Sequence, residues 1–230
     1  MLNTYIYNLL GIKLTDHQIS QFDAYYNLLV DYNKHTNLTR ITSKDDADVK
    51  HFLDSLSLNR LIDFSEEIKL CDMGAGAGFP SIPLLILYPN IDLTIVESQI
   101  KRIQFLEQLK KKLELNFKII HDRAEVFAAN HLKTFDVVTA RALGELRLIL
   151  EFGVPMLKVS GYFIAPKGSK YEEELALAQN AIKVLNVKLI KRDLFELPND
   201  YGFRANLLFI KENHTNGYPR PYPTIKKKPL

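Results

Sequence analysis

A chain of 230 residues that is 47% hydrophobic carries enough apolar material for a substantial core, as one domain or one domain with an appendage. No apolar run approaches the roughly 20 residues that cross a bilayer, the opening MLNTYIYNLLGIKL lacks the basic stretch and cleavage site of a secretion signal, and the lone cysteine, Cys71, excludes an intrachain disulfide, a cysteine zinc cluster and dithiol redox chemistry. A soluble cytoplasmic protein without a metal site or membrane association is expected, and its net charge of +3 divides into +4 over residues 213–230 and −1 over everything before them.

In chain order, the first 65 residues read as helical. TDHQISQFDAYYNLLVDYN opens with Thr15 and Gln18 at capping-box spacing and places Ile19, Phe22, Tyr26, Leu29 and Tyr32 on one face. SKDDADVKHFLDSLSLNRLI repeats the device with Ser43 and Asp46, then Val49, Phe52, Leu53, Leu56 and Leu61. His51 and Asp54 share a face of that helix, and a capped, hydrogen-bonded pair is expected of them ahead of reach into a site. The polar link between the helices contains Asn37, Thr39 and Arg40, placed to cover a ligand.

From Ile68 onward, short apolar runs alternate with helical stretches. IKLCDM, DLTIVES, FKIIH, FDVVTA and GYFIA predict buried parallel strands, with PSIPLLILY, QIKRIQFLEQLKKKLEL, RAEVFAANHL and GELRLILEFGVPML as crossover helices. YEEELALAQNAIKVL predicts one more helix, and VKLIKRDLFEL with FRANLLFIK an antiparallel hairpin at a sheet edge. The fold class is therefore α/β: a mostly parallel, doubly wound, Rossmann-like sheet with an antiparallel edge hairpin and an N-terminal helical extension. The expected regions are helices over 1–65, the sheet domain over 66–212 and a basic, proline-containing tail over 213–230.

The run LCDMGAGAGFP falls at the carboxyl end of the first strand, where such sheets bind ligands. Gly74, Gly76 and Gly78 permit close backbone approach, and the next helix offers free N–H groups. A triphosphate loop needs Lys and Ser or Thr after the last glycine, where Phe79 and Pro80 stand. A dinucleotide fingerprint needs its third glycine at the position of Phe79 and gains nothing from Asp72 beside a pyrophosphate. D-x-G-x-G-x-G instead suits a ligand without phosphates that carries a cationic group, S-adenosylmethionine, with Glu97 at the end of the next strand to accept its ribose hydroxyls.

YNKHTNLTRIT, HFLDSL, DMGAGAGFPSIPL, VESQIKRIQFL, HDRAE, DVVTARAL, APKG and YPRPYPTIKKKPL occur in order over nearly the whole chain. With these motifs the sequence resembles the bacterial 16S ribosomal RNA guanine-N7 methyltransferases, the glucose-inhibited division protein B family. The resemblance implies a class I S-adenosylmethionine-dependent methyltransferase fold and methyl transfer to N7 of a guanine in helix 18 of 16S rRNA, free or within the small subunit, with no protein partner required. It also implies cofactor contacts at Gly74, Phe79, Ala124, Glu125 and Arg141, with Glu97 keeping its ribose role. The residues themselves add Asp72, Gly76 and Gly78 to that set.

Acceptor chemistry narrows further. No Asn/Asp-Pro-Pro-aromatic motif follows the fourth strand, where TARA stands, so exocyclic amines are not the expected acceptors. Cys71 lies inside the first strand, on the wrong side of Asp72 for attack on a pyrimidine. Guanine N7 carries a lone pair and no proton, so no general base is required, and Arg141 and Lys167 are the candidates for positioning. In the tail, Arg220, Lys226, Lys227 and Lys228 suit either an arm for RNA phosphates, with Tyr218 and Tyr222 stacking on bases, or a solvated terminus. The competing functions are a non-catalytic RNA-binding assembly factor that senses S-adenosylmethionine and, more remotely, a dinucleotide oxidoreductase.

Overall fold

The aliphatic runs after residue 68 form seven strands: β1 (Lys69–Met73), β2 (Asp92–Glu97), β3 (Lys118–His121), β4 (Phe135–Thr139), β5 (Leu157–Lys167), β6 (Val187–Glu196) and β7 (Phe203–Lys211). The computed structural model describes residues 1–36, 38–41 and 43–230. Across the sheet the order is β3-β2-β1-β4-β5-β7-β6, with β1 to β5 parallel and β7 antiparallel to both its neighbours. The chain moves outward from β1 to β3, then returns to β4. The order therefore reverses between β1 and β4, and a ligand crevice belongs outside their carboxyl ends.

Because successive strand residues point to opposite faces, each strand feeds two cores. Leu70 and Val137 enter one, Cys71 and Val138 the other. The first core is covered by α1 (Leu2–Leu10), α2 (Asp16–Thr36), a helical run at 44–60, α5 (Ser81–Leu87) and α6 (Ile100–Leu113). That run comprises α3 (Lys44–Ala47), a π turn (Asp48–Leu53), α4 (Asp54–Leu56) and a 3₁₀ turn (Ser57–Arg60). The second core lies under α7 (Ala124–Asn130), α8 (Leu146–Gly153), α9 (Tyr171–Leu177), α10 (Gln179–Val184) and α11 (Tyr222–Lys227). Cys71 is fully buried and burial pushes its thiol pKa up, so it packs as a small apolar side chain.

Both N-terminal caps form as the spacing predicts. The Gln18 N–H donates to Thr15 Oγ1 at 3.2 Å while the Thr15 N–H donates to Gln18 Oε1 at 3.0 Å, and the Asp46 N–H donates to Ser43 Oγ at 3.1 Å. The inward face of α2 differs by one residue: Phe22, Tyr25 and Leu29 are buried, and Tyr26 is only partly so. A phenol can be fully buried only with an acceptor for its hydroxyl, and Tyr25 Oη donates to the carbonyl of Ala77. The predicted helix over 171–185 is two short helices meeting at Ala178, and the one over 144–157 ends in a 3₁₀ turn at Pro155, whose nitrogen has no proton to give.

The tail departs from both of its expected states. It folds back as α11, with Ile225 fully buried in the second core and Tyr218 and Tyr222 packed against it. Burial of such an apolar side chain is worth about 1.5–3 kcal/mol, enough to hold a short segment that basic composition alone leaves solvated.

Candidate functional site

The loop after β1 is wrapped tightly. The Gly74 N–H donates to the Val96 carbonyl at 2.7 Å, and the Gly78 N–H to that of Ala75 at 2.9 Å. Gly78 has φ +96°, and a Cβ there would stand 2.7 Å from both Tyr25 Oη and Ile82 Cγ1, so this glycine is required by packing. Gly76, at φ +61°, is the opposite case: nothing lies within 4 Å of its missing Cβ, and that space is the open side of the loop. Glu97 braces the loop from β2. Its Oε2 accepts from the Gly76 N–H at 3.1 Å, its Oε1 from the Ser98 and Gln99 N–H groups at 2.9 Å each, and Arg102 Nη1 lies 3.5 Å away.

Asp72 sits beneath the loop, fully buried. The Ser81 N–H donates to Oδ2 at 3.3 Å, while Oδ1 has no partner. Burial pushes its pKa up to about 7, against the opposing pull of Ser81 and Arg141. An orphaned buried carboxylate oxygen beside an open glycine is a place prepared for a positive charge.

Phe79 does not present a free ring. It stacks with Tyr25 (centroids 5.2 Å apart, planes at 4°) and with His51 (4.5 Å, 13°), and Arg141 Cζ lies 5.1 Å from its centroid. The His51 Nε2 and Thr39 Oγ1 are 2.9 Å apart, whereas its buried Nδ1 has no partner. Burial, and then the Arg141 guanidinium, push the His51 pKa down to about 3, so the ring is neutral near pH 7. These groups line a cleft of about 180 Å³ with Gly74, Gly76 and Ala142.

A second cleft, of about 380 Å³, shares Arg141 and Ala142 with the first. Asp54 lies in it between two guanidinium groups: Arg141 Nη1 donates to Oδ2 at 3.3 Å and Arg204 Nε to Oδ1 at 3.0 Å. Deeper along the same cleft, Lys167 Nζ donates to Glu174 Oε2 at 2.7 Å and to the Gly144 carbonyl at 2.9 Å. At the junction Ala142 has φ +54°, a left-handed conformation that side-chain-bearing residues seldom adopt and that recurs where ligands are held.

The structure thus brings Gly74, Gly76, Phe79 and Arg141 around one crevice, with Asp72 buried beneath its loop and Glu97 bracing the loop from behind. Ala124 and Glu125 open α7 on its flank, next to Glu97: the Asp122 N–H donates to the Glu97 carbonyl at 3.3 Å, and Arg123 Nε donates to Glu125 Oε1 at 2.6 Å. Lys167 lines the second cleft but is paired with Glu174, its side chain only 8% exposed. Arg220 stands elsewhere. Its Nε and Nη2 donate to the two carboxylate oxygens of Glu151 at 2.6 and 2.7 Å, and Glu151 is fully buried, so this arginine is committed to holding the tail. Tyr222 is likewise engaged, with Phe152 and beneath Arg123. Lys226, Lys227 and Lys228 are exposed.

His51 and Asp54 are not the mutual pair expected of them. They belong to different clefts, one against Phe79 and one against Arg141, because the π turn at Asp48–Leu53 shifts the helical phase between them. Of the covering loop, Thr39 touches His51, Arg40 is exposed and Asn37 lies outside the described residues. Tyr25, Arg204 and Glu174 are the site residues that sequence reasoning missed. Among the described residues no group of three His, Cys, Asp or Glu side chains is placed to hold a metal ion, and no helix is long and apolar enough to cross a membrane.

The first cleft is lined by the glycine loop, His51, Arg102 and Arg141, and Asp72 beneath the loop and Glu97 behind it could hold the cationic and ribose groups of S-adenosylmethionine. A family model, GidB: rRNA small subunit methyltransferase G, matches residues 18–197. The ribosomal RNA small subunit methyltransferase G of Acholeplasma laidlawii is 73% identical over 230 residues, all of both chains. That of Staphylococcus saprophyticus is 45% identical over 223 residues, 96% of this chain and 93% of its own. Two solved structures share the fold. A methyltransferase from Pyrococcus furiosus has a TM-score of 0.56 at 15% identity over 70% of this chain and 83% of its own. A SAM-dependent O-methyltransferase from Thermotoga maritima also has a TM-score of 0.56, at 13% identity over 82% and 72%. Sheet order, glycine loop and full-length identity agree, and the chain belongs to the rRNA small subunit methyltransferase G family of S-adenosylmethionine-dependent enzymes.

Proposed function

We propose that this 16S rRNA methyltransferase places its methyl group on N7 of the helix-18 guanine, with the target base in the Arg141–Glu174 cleft and the cofactor in the glycine cleft. The observation that carries this reading is the meeting of the two clefts at Arg141 and Ala142, neither of which can take a proton from an acceptor. His51 is neutral but turned onto Phe79, and both Asp54 oxygens accept from arginines. A nitrogen that must lose a proton before attack would be poorly served there. N7 has none to lose.

S-adenosylmethionine supplies the methyl group on a positively charged sulfur. Asp72 and Glu97 fix its cationic and ribose ends, and Ala124 and Glu125 stand where the adenine belongs. Arg141, stacked on Phe79 and tied to Asp54, forms a rigid wall between the two ligands. Lys226, Lys227 and Lys228 are available for RNA phosphates, and the work belongs to the cytoplasm, where 16S rRNA is met.

The test is transfer of a radiolabelled methyl group to small subunits and free 16S rRNA lacking the modification, mapped by chain cleavage at N7-methylguanine. One labelled guanine in helix 18 is expected. Label at another atom or helix overturns the reading, and cofactor and subunit binding without transfer would favour a sensing role.

A further inference from the structure

Within the second cleft Glu174 differs from every other charged group. Asp54 has both carboxylate oxygens engaged, and Arg141, Arg204 and Lys167 each donate to a carboxylate. Glu174 Oε2 accepts from Lys167 Nζ and from the Leu146 N–H, both at 2.7 Å, which fixes the side chain's orientation. Its Oε1 accepts from none of the described residues, and the side chain, 26% exposed, lines the cleft. Among the described residues Glu174 Oε1 is thus the one carboxylate oxygen of this cleft that accepts from no protein group.

On the reading that N7 faces the cofactor, the rest of the base can be placed. Arg141 and Ala142 are shared with the cofactor cleft and mark the end at which N7 lies, whereas Gly144, Lys167 and Glu174 line only the second cleft. In guanine the edge opposite N7 carries N1–H and the N2 amino group, two donors side by side. Adenine offers at that edge an acceptor, N1, flanked by a donor. We infer that Glu174 is the residue that selects guanine, its free Oε1 accepting from the N1–H and N2–H edge while Lys167 holds the carboxylate in register. Methylation at N7 makes N1–H more acidic, so this hydrogen bond strengthens as the reaction proceeds and acts on kcat as well as on binding. A site built to accept from a base edge rejects the base that lacks the donors, since its carboxylate would be left unpaired.

The test uses the full-length protein with small subunits carrying guanine or, by mutation, adenine at the target position. Glu174→Gln keeps an oxygen for the Leu146 N–H but exchanges an acceptor for an N–H₂ donor, which complements adenine. Wild-type enzyme is expected to methylate guanine and scarcely touch adenine. Glu174→Gln should lower kcat/KM on guanine about 10- to 100-fold, the range for loss of a paired base-edge contact, and lower the guanine-to-adenine ratio by at least as much. Glu174→Ala should lose on guanine without gaining on adenine. An unchanged ratio in Glu174→Gln, whatever the rates, overturns the assignment, because a merely structural glutamate would slow both substrates alike. The atom labelled by wild-type enzyme reports on the underlying reading separately: label off N7 fails that reading, and with it the orientation on which this assignment depends.

Discussion

The two clefts that meet at Arg141 are made in different ways. The glycine cleft has as one wall a continuous stretch of backbone, residues 74–79, braced by a single carboxylate at the end of the neighbouring strand. The second cleft is assembled from side chains of α4, the β4 and β5 ends, α9 and β7, each supplying one charge. A backbone cradle holds a ligand whose shape never varies. A cleft of interlocked charges can be tuned to a base, and it fails piecewise.

Arg141 belongs to both, so its loss should be the most damaging single change. Arg141→Ala removes the wall above Phe79 and leaves Asp54 with one guanidinium, and kcat/KM should fall by about a thousand-fold, with both cofactor and RNA kinetics affected. Arg141→Lys should not rescue it, because an ammonium lacks the planar fork that stacks and donates together. Steady-state methyl transfer at varied cofactor and RNA checks this; a variant defective in only one of the two would show that the clefts are independent.

Asp72 tests the cofactor cleft alone. In the free protein it keeps its proton up to about pH 7, whereas an unfolded aspartate loses it near pH 3.9. Its contribution to stability is thus fully present below about pH 3.9 and is lost as pH rises to about 7, a change on the order of 4 kcal/mol. A cationic ligand favours the carboxylate, so cofactor affinity should rise with pH up to about 7 and then level, with a proton released on binding at pH 6. Asp72→Asn should abolish that pH dependence and weaken cofactor binding about 10- to 100-fold, yet stabilise the protein at pH 8 by about 2 kcal/mol once the unpaired amide is counted. Calorimetry in buffers of different protonation enthalpy, beside thermal melts, measures both halves. Coincident loss of affinity and stability would show Asp72 to be structural.

The same difference in construction decides what could be read from the sequence. The seven strands, the glycine turn, both helix N-caps and Glu97 at a strand end depend on neighbours within a few residues, and local pattern finds them. Tyr25 was misplaced by one position because its burial depends on a carbonyl 52 residues away. Arg204 and Glu174 look like ordinary surface charges until β7 and α9 bring them to Asp54 and Lys167. The π turn hides the separation of His51 from Asp54, since helical spacing assumes 3.6 residues per turn throughout.

In the tail the two modes lie side by side. Arg220 and the triplet Lys226 to Lys228 carry the same charge in the sequence, but Arg220 is tied to a buried glutamate and the lysines are free in solution. Arg220→Ala strands Glu151 without its counter-charge and should cost about 3–5 kcal/mol of stability, visible as a lower denaturation midpoint, while molecules that remain folded keep their intrinsic kcat. Replacing all three lysines by alanine should do the reverse. Melting should stay within about 0.5 kcal/mol of wild type, because no protein contact is lost. RNA association should weaken modestly, and the slope of log affinity against log salt should fall by up to about 2, near 0.7 for each single-stranded phosphate contact given up. A salt slope that does not change would place the RNA elsewhere on the surface and leave α11 as a brace for the second core, with its lysines serving only solubility.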